Sequence, residues 1–408
     1  MSGRTTSGRV GLWVTLAGLA VGAVVVAVLG LWTYMGTTAE RLHPRPEDVP
    51  SSSLSMPPPR WAAAVEDARR VVRTVLSDQN VPGLSVAVGA QGELAWAEGF
   101  GWADLDRRTV VGPDTRFRLG TASTVLTSAA AGLLVEEGRL RLDDEIQAYV
   151  PEFPRKDRPI TLRQVMGHVA GLRTDGGDES PLLGTHCLRP ADALPHFAAA
   201  SLLTEPGERF RVSRFGWIVV SAAVEAASGE PFLRFVRKQV FEPLGLHDTT
   251  ADDASRTAPE QATSYFPRFA ADLRYGLDPM RPIDLSCYAG AGVFVSTPSD
   301  LVRFGLAMAD GRLLRPDTMA LLQTPQRTSA GEDTGYGLGW RLERAAVGGE
   351  DTLVAGHDGD VLGGMVASLV VIRDRGLVVA VTSNSSYADT HGVAMALARA
   401  FASPGLAH

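Results

Sequence analysis

Phe117-Arg118-Leu119-Gly120-Thr121-Ala122-Ser123-Thr124-Val125-Leu126-Thr127 opens an amphipathic run that continues from Ser128 to Gly138. Hydroxyls of Thr121, Ser123 and Thr124 crowd the start of this segment. An alcohol is a weak nucleophile at neutral pH and needs an adjacent base to take its proton. Thr124 is no such base, because its hydroxyl accepts no proton at neutral pH. Ser123 stands two positions beyond Thr121, about 200° around a helix, and faces another side of it. A hydroxyl at a helix start is read as a cap for backbone N–H groups.

Upstream lie Pro82-Gly83-Leu84-Ser85-Val86-Ala87-Val88 and Leu94-Ala95-Trp96-Ala97-Glu98-Gly99-Phe100-Gly101. Downstream come Leu140 to Tyr149 ending in Pro151-Glu152-Phe153-Pro154, then Thr161 to Leu172 with His168 and Gly171 near its end. Phe210-Arg211-Val212-Ser213-Arg214-Phe215-Gly216-Trp217, Tyr336-Gly337-Leu338-Gly339-Trp340 and Gly356-His357-Asp358-Gly359 follow. In this order the segments resemble the penicillin-binding protein and class C β-lactamase superfamily of serine hydrolases, over nearly all of the chain from about Trp61. The resemblance implies a β-lactamase/transpeptidase-like α/β (α+β) fold with its site in a cleft between two lobes.

Residue by residue, the resemblance places Thr121 where the family has its acylated Ser and Thr124 where it has the proton-shuttling Lys. Val212 and Arg214 stand in place of the Tyr and Asn of the second motif. Val has no titratable group, and Arg stays protonated, so neither serves as a base. His357, Asp358 and Gly359 match the third motif, which edges the cleft; Asp360 stands where many relatives have Gly. Catalytic-position residues are therefore Thr121, Thr124, Val212, Arg214 and His357, and binding candidates are Arg214, His357, Asp358 and Gly359. Arg214 offers a planar cationic fork to an anionic ligand. The competing expectation is an internal ion pair between Arg214 and Asp358, Asp360 or another carboxylate. His168 is read as structural, ending a helix before a turn, and Trp96, Phe100 and Trp340 as sheet core.

A formal net charge of -7 gives no basic surplus for nucleic acid. From Val10 to Met35 no charge interrupts the apolar sequence, which is long enough for the roughly 30 Å hydrocarbon core of a bilayer. A cleaved signal peptide has a shorter apolar core of about 7–15 residues, so an uncleaved anchor is expected. Arg4 and Arg9 precede it, which by the positive-inside rule leaves residues 1–9 in the cytoplasm and the large domain outside the cytoplasmic membrane. Residues 36–60, rich in Pro and Ser, are expected to run as an extended, solvated linker, with the β-lactamase-related domain over 61–403.

Ala64, Val65, Ala68, Val71, Val72 and Val75 repeat at helical spacing, while Gly364 to Val371 and Gly376 to Val381 read as strands before a closing helix around Gly392 to Phe401. Strands at both ends of the domain imply an antiparallel sheet completed by the two termini, with a helical lobe inserted between its halves. Cys187 and Cys287 are either a disulfide, permitted outside the cytoplasm, or two buried thiols. His168, His186, His196 and His247 lack metal-site spacing, and no cofactor is expected. The expected function is that of a membrane-anchored, catalytically inactive homologue serving binding or scaffolding, with a peptide or anionic small molecule as ligand. The alternative is a weak or atypical hydrolase of ester, amide or D-amino-acid peptide substrates acting through Thr121.

Overall fold

The computed structural model describes residues 6–174, 181–253, 260–269, 271–361 and 364–402. The expected N-terminal segment 1–9 begins outside these residues, and the expected boundary at 403 falls just beyond them. Helix α1 (Thr6–Thr37) contains the apolar run, and its stretch Trp13–Thr37, 25 residues long, is exposed along its length except at Met35, which is buried. By length and composition it can cross a membrane.

Residues 38–60 depart from the expected solvated linker. The segment turns through a short helix at Pro46–Asp48, buries His43 and Val49, and pairs strand β1 (Ser51–Ser53) antiparallel with Phe100, Gly99 and Glu98 at the sheet edge. Asn80 holds the segment from the other side: its amide donates to Glu40 O at 3.0 Å and its Oδ1 accepts the Leu42 N–H at 2.8 Å. An edge strand leaves a row of unpaired backbone groups, and an extended chain of any composition can satisfy them.

Helix α2 (Ala62–Gln79) buries Ala64, Val65, Ala68, Val72 and Leu76 along one face, the 3.6-residue pattern of its sequence. Asn80, left-handed at φ 57, terminates it. The sheet is built from β2 (Gly83–Ala90), β3 (Glu93–Asp104), β4 (Arg341–Val347), β5 (Glu350–Val361), β6 (Met365–Ile372) and β7 (Leu377–Ser383). Its order is β1-β3-β2-β7-β6-β5-β4, antiparallel throughout, with Thr109–Val110 added to β3. The pairing of β2 with β7 joins the two ends of the domain, as the sequence implies.

Helices α3 (Thr124–Glu136), α4 (Arg214–Ser228), α5 (Pro298–Asp310) and α6 (Thr390–Phe401) complete the frame. Both faces of β2 and β7 are covered, which explains why these strands read as unbroken apolar runs. On one face α2 and α6 enclose Val65, Val72, Val86, Val381 and Phe401. On the other, α5 and the inserted lobe form the larger core around Val125, Trp217, Phe304 and Trp340. Trp96, Phe100 and Trp340 are all buried, with Trp96 stacked on Phe401 at 6.3 Å. Cys187 and Cys287 are disulfide-bonded and close a 100-residue span inside the lobe.

Candidate active-site cleft

The motif segment enters α3 through a tight turn, Gly120–Ser123, that lies directly against β5. Gly120 has φ 52, and a Cβ there would overlap the backbone of Asp360. At Gly359 a Cβ would overlap Leu119 O and Ala122 N. These two glycines let the strand and the turn pack backbone to backbone, which fixes Thr121 beside the third motif.

Thr121 is half-buried, and its Oγ1 donates to the backbone carbonyl of Asp358 at 3.2 Å. Thr124 is buried, and its hydroxyl donates back to Thr121 O at 2.9 Å. The same Asp358 carbonyl accepts from His357 Nδ1 at 2.7 Å. With the proton on Nδ1, the other ring nitrogen is an acceptor, and it lies 2.9 Å from the buried Tyr336 hydroxyl, which therefore donates. Burial lifts the Tyr336 phenol far above its ordinary value, a shift that the neighbouring Thr124 hydroxyl only partly offsets. Burial likewise lowers His357, so phenol and imidazole are both neutral at pH 7.

His168 packs against Tyr336 in a tilted arrangement with ring centroids 4.8 Å apart, and its Nδ1 accepts the Ser213 N–H at 3.2 Å. Burial first, and the nearby His357 second, push its pKa down to about 3. The reading of His168 as structural agrees with this packing. Its backbone is left-handed, φ 59, one residue after the glycine that ends Leu162–Met166.

Strand alternation separates His357 and Gly359 from Asp358. The Asp358 carboxylate lies on the far side of the sheet, 2.7 Å from Ser368 Oγ, 3.1 Å from His391 Nδ1 and 2.6 Å from Arg341 NH1. Burial alone would raise its pKa, but His391, Ser368 and Arg341 outweigh it and hold it at about 2. His391 is raised in return, chiefly by its hydrogen bond to Asp358. Asp358 thus faces the Thr121 cluster with its carbonyl, while its carboxylate faces away from it. That carboxylate is already held by Arg341 and His391, which leaves it no place as the partner of Arg214. Both His357 ring nitrogens are engaged within the protein, Nδ1 with Asp358 O and Nε2 with the Tyr336 hydroxyl.

Ser213 caps α4 by accepting the Gly216 N–H at 3.2 Å. Val212 is half-exposed, and Arg214 opens the helix half-buried, with its N–H 3.4 Å from Thr174 Oγ1. Asp360 is exposed and accepts from Ser386 Oγ at 3.5 Å. Ser123 is not a cap: it is fully buried, and its Oγ accepts the Phe294 N–H at 3.4 Å. The structure thus gathers Thr121, Thr124, His357 and Tyr336. Tyr336 is the member that motif reading passed over as part of a strand signature.

Chemically, the cluster offers hydroxyl donors and two neutral imidazoles whose hydrogen bonds are directed elsewhere. Thr121 gives its proton to a peptide carbonyl, which is no base.

The family model described as "Beta-lactamase" matches residues 68–403. The serine beta-lactamase-like protein LACTB, mitochondrial, of Homo sapiens is 25% identical over 84% of this chain and 80% of its own length. Among solved structures, the octameric penicillin-binding protein homologue from Pyrococcus abyssi superposes with TM-score 0.68 at 22% identity, covering 81% of this chain and 76% of that one. A penicillin binding protein of Bacillus halodurans gives TM-score 0.67 at 21% identity, covering 79% and 97%. The last two likenesses are of fold.

Proposed function

The chain belongs to the beta-lactamase family, and from that premise we propose that it is a non-hydrolytic member, anchored in a membrane and serving binding or scaffolding through its extracytoplasmic domain. One observation carries the reading: the Thr121 hydroxyl donates to the Asp358 carbonyl, and among the described residues no hydrogen bond links it to a group able to take its proton. Loss of a general base alone costs roughly 10²- to 10⁴-fold in rate, and nucleophile and bases that act as one unit fail together. The ligand is an anionic small molecule or peptide carboxylate met by Arg214 at the start of α4.

Two features support the location. The stretch Trp13–Thr37 leaves its apolar side chains exposed except at Met35, and Arg4 and Arg9 precede it. The Cys187–Cys287 disulfide fits an oxidising compartment. Deleting Met1 to Thr38 then releases the domain from membranes, and protease added to intact cells stripped of their outer layers digests the full-length protein. A domain that stays protected there overturns the orientation.

A second reading, slow hydrolysis of esters, amides or D-amino-acid peptides through Thr121, is favoured by the partial exposure of that hydroxyl and the neutral His357 in the same cluster. Steady-state turnover of an activated ester and a β-lactam decides between them. The proposal expects rates equal to those of a Thr121→Ala control, and turnover lost in that control establishes the second reading instead.

A further inference from the structure

On the lobe, away from the Thr121 cleft, lies a groove of about 570 Å³ whose lining includes no residue of the motif cluster. That volume is within the usual range for a small-molecule site, about 300–1,000 Å³. Its floor is the buried rings of Phe241 and Phe294, continued to the surface by the exposed Leu233. Arg116, Arg234 and Arg237 stand over this floor.

Arg116 is the informative residue. Its NH2 donates to Asp248 Oδ1 at 2.9 Å, while its Nε is buried with no hydrogen-bond partner. A buried guanidinium N–H that no described residue pairs can donate to a further acceptor. Arg234 pairs with Glu230 and Arg237 with Glu242, a residue that also lines the groove; both arginines are largely exposed. Exposed pairs of this kind hold weakly and exchange readily for a better acceptor.

Backbone geometry marks the same place. Residues Arg237–Phe241 form a π-helical turn, and both of its ends, Arg237 and Phe241, face the groove. Such turns are rare and occur disproportionately at functional sites. The groove also backs onto the motif helix: Phe294 O accepts the Leu119 N–H at 2.9 Å, and its N–H reaches Ser123 Oγ.

We propose that this groove binds an anionic amphiphile, a carboxylate or phosphate head on a short apolar chain, with the head at Arg116 and Arg237 and the chain over Phe241, Phe294 and Leu233. The site is separate from the Thr121 cleft and independent of whether that cleft hydrolyses anything. Calorimetric titration of the full chain in lipid nanodiscs tests it, using hexanoate, hexyl phosphate, inorganic phosphate and hexanol, all monomeric in water. At least one of the two anionic amphiphiles should bind saturably, at least tenfold tighter than hexanol and inorganic phosphate; which one it is identifies the head group. Arg237→Glu and Leu233→Asp change exposed side chains and should leave the fold intact while weakening that binding at least tenfold. Absence of saturable binding, equal affinity for hexanol or for inorganic phosphate, or unchanged affinity in both variants would each overturn the proposal.

Discussion

Among the groups through which acid should destabilise this protein is the buried ring of His168. Burial of its ring between Tyr336, Phe210 and Trp217, helped by the nearby His357, pushes the His168 pKa down from the ordinary 6.5 to about 3. Between those two values the unfolded chain binds a proton that the folded one refuses, so stability falls as pH falls and is complete only above about 6.5. Lowering pH from 7.5 to 5 leaves about 1.5 pKa units of that difference expressed, or about 2 kcal/mol. His168→Asn supplies the control: Asn tolerates a left-handed backbone, offers an acceptor near the Nδ1 position for the Ser213 N–H, and does not titrate. Chemical unfolding should show a less stable variant at pH 7.5, with the gap between wild type and variant shrinking by about 2 kcal/mol at pH 5. A gap that stays constant across this range would mean that His168 is protonated in the folded protein or accessible to water, and the reasoning would fail.

Removing the disulfide by Cys187→Ser with Cys287→Ser frees a 100-residue loop in the unfolded chain, and loop-closure entropy puts the loss at about 4–5 kcal/mol. Thermal unfolding with and without reductant reads this out, and coincident curves would refute it. Gly359→Ala drives a methyl into Leu119 O and Ala122 N, so the variant should unfold at markedly lower temperature; Gly184→Ala, where nothing lies within 4 Å, should match wild type. Equal melting of both variants would contradict the backbone-to-backbone packing of strand and turn.

Periodicity was enough for the parts of the fold whose buried residues repeat along one segment. Val65, Ala68 and Val72 announce α2, and the apolar runs of β2 and β7 announce central strands. The docking of residues 38–60 was hidden because β1 is held by backbone amides, which any sequence supplies, and by an Asn 40 residues from Glu40. At the site, motif order brings Thr121, Thr124 and His357 together, and the structure has them near one another around the Asp358 carbonyl and Tyr336. It did not place Tyr336 against His357, because that contact depends on how the turn before β4 meets β5 across 21 residues. The two faces of β5 were equally hidden: His357 and Asp358 are neighbours in sequence, and only the phase of the strand sends one to the cleft and the other to Arg341 and His391.

The central claim is that Thr121 keeps its proton. Intact-mass analysis of the full-length protein after prolonged exposure to a fluorophosphonate and to a penicillin tests it without relying on turnover. The account predicts an unmodified mass and the same result for Thr121→Ala. A covalent adduct mapped to Thr121, absent in Thr121→Ala, would contradict it.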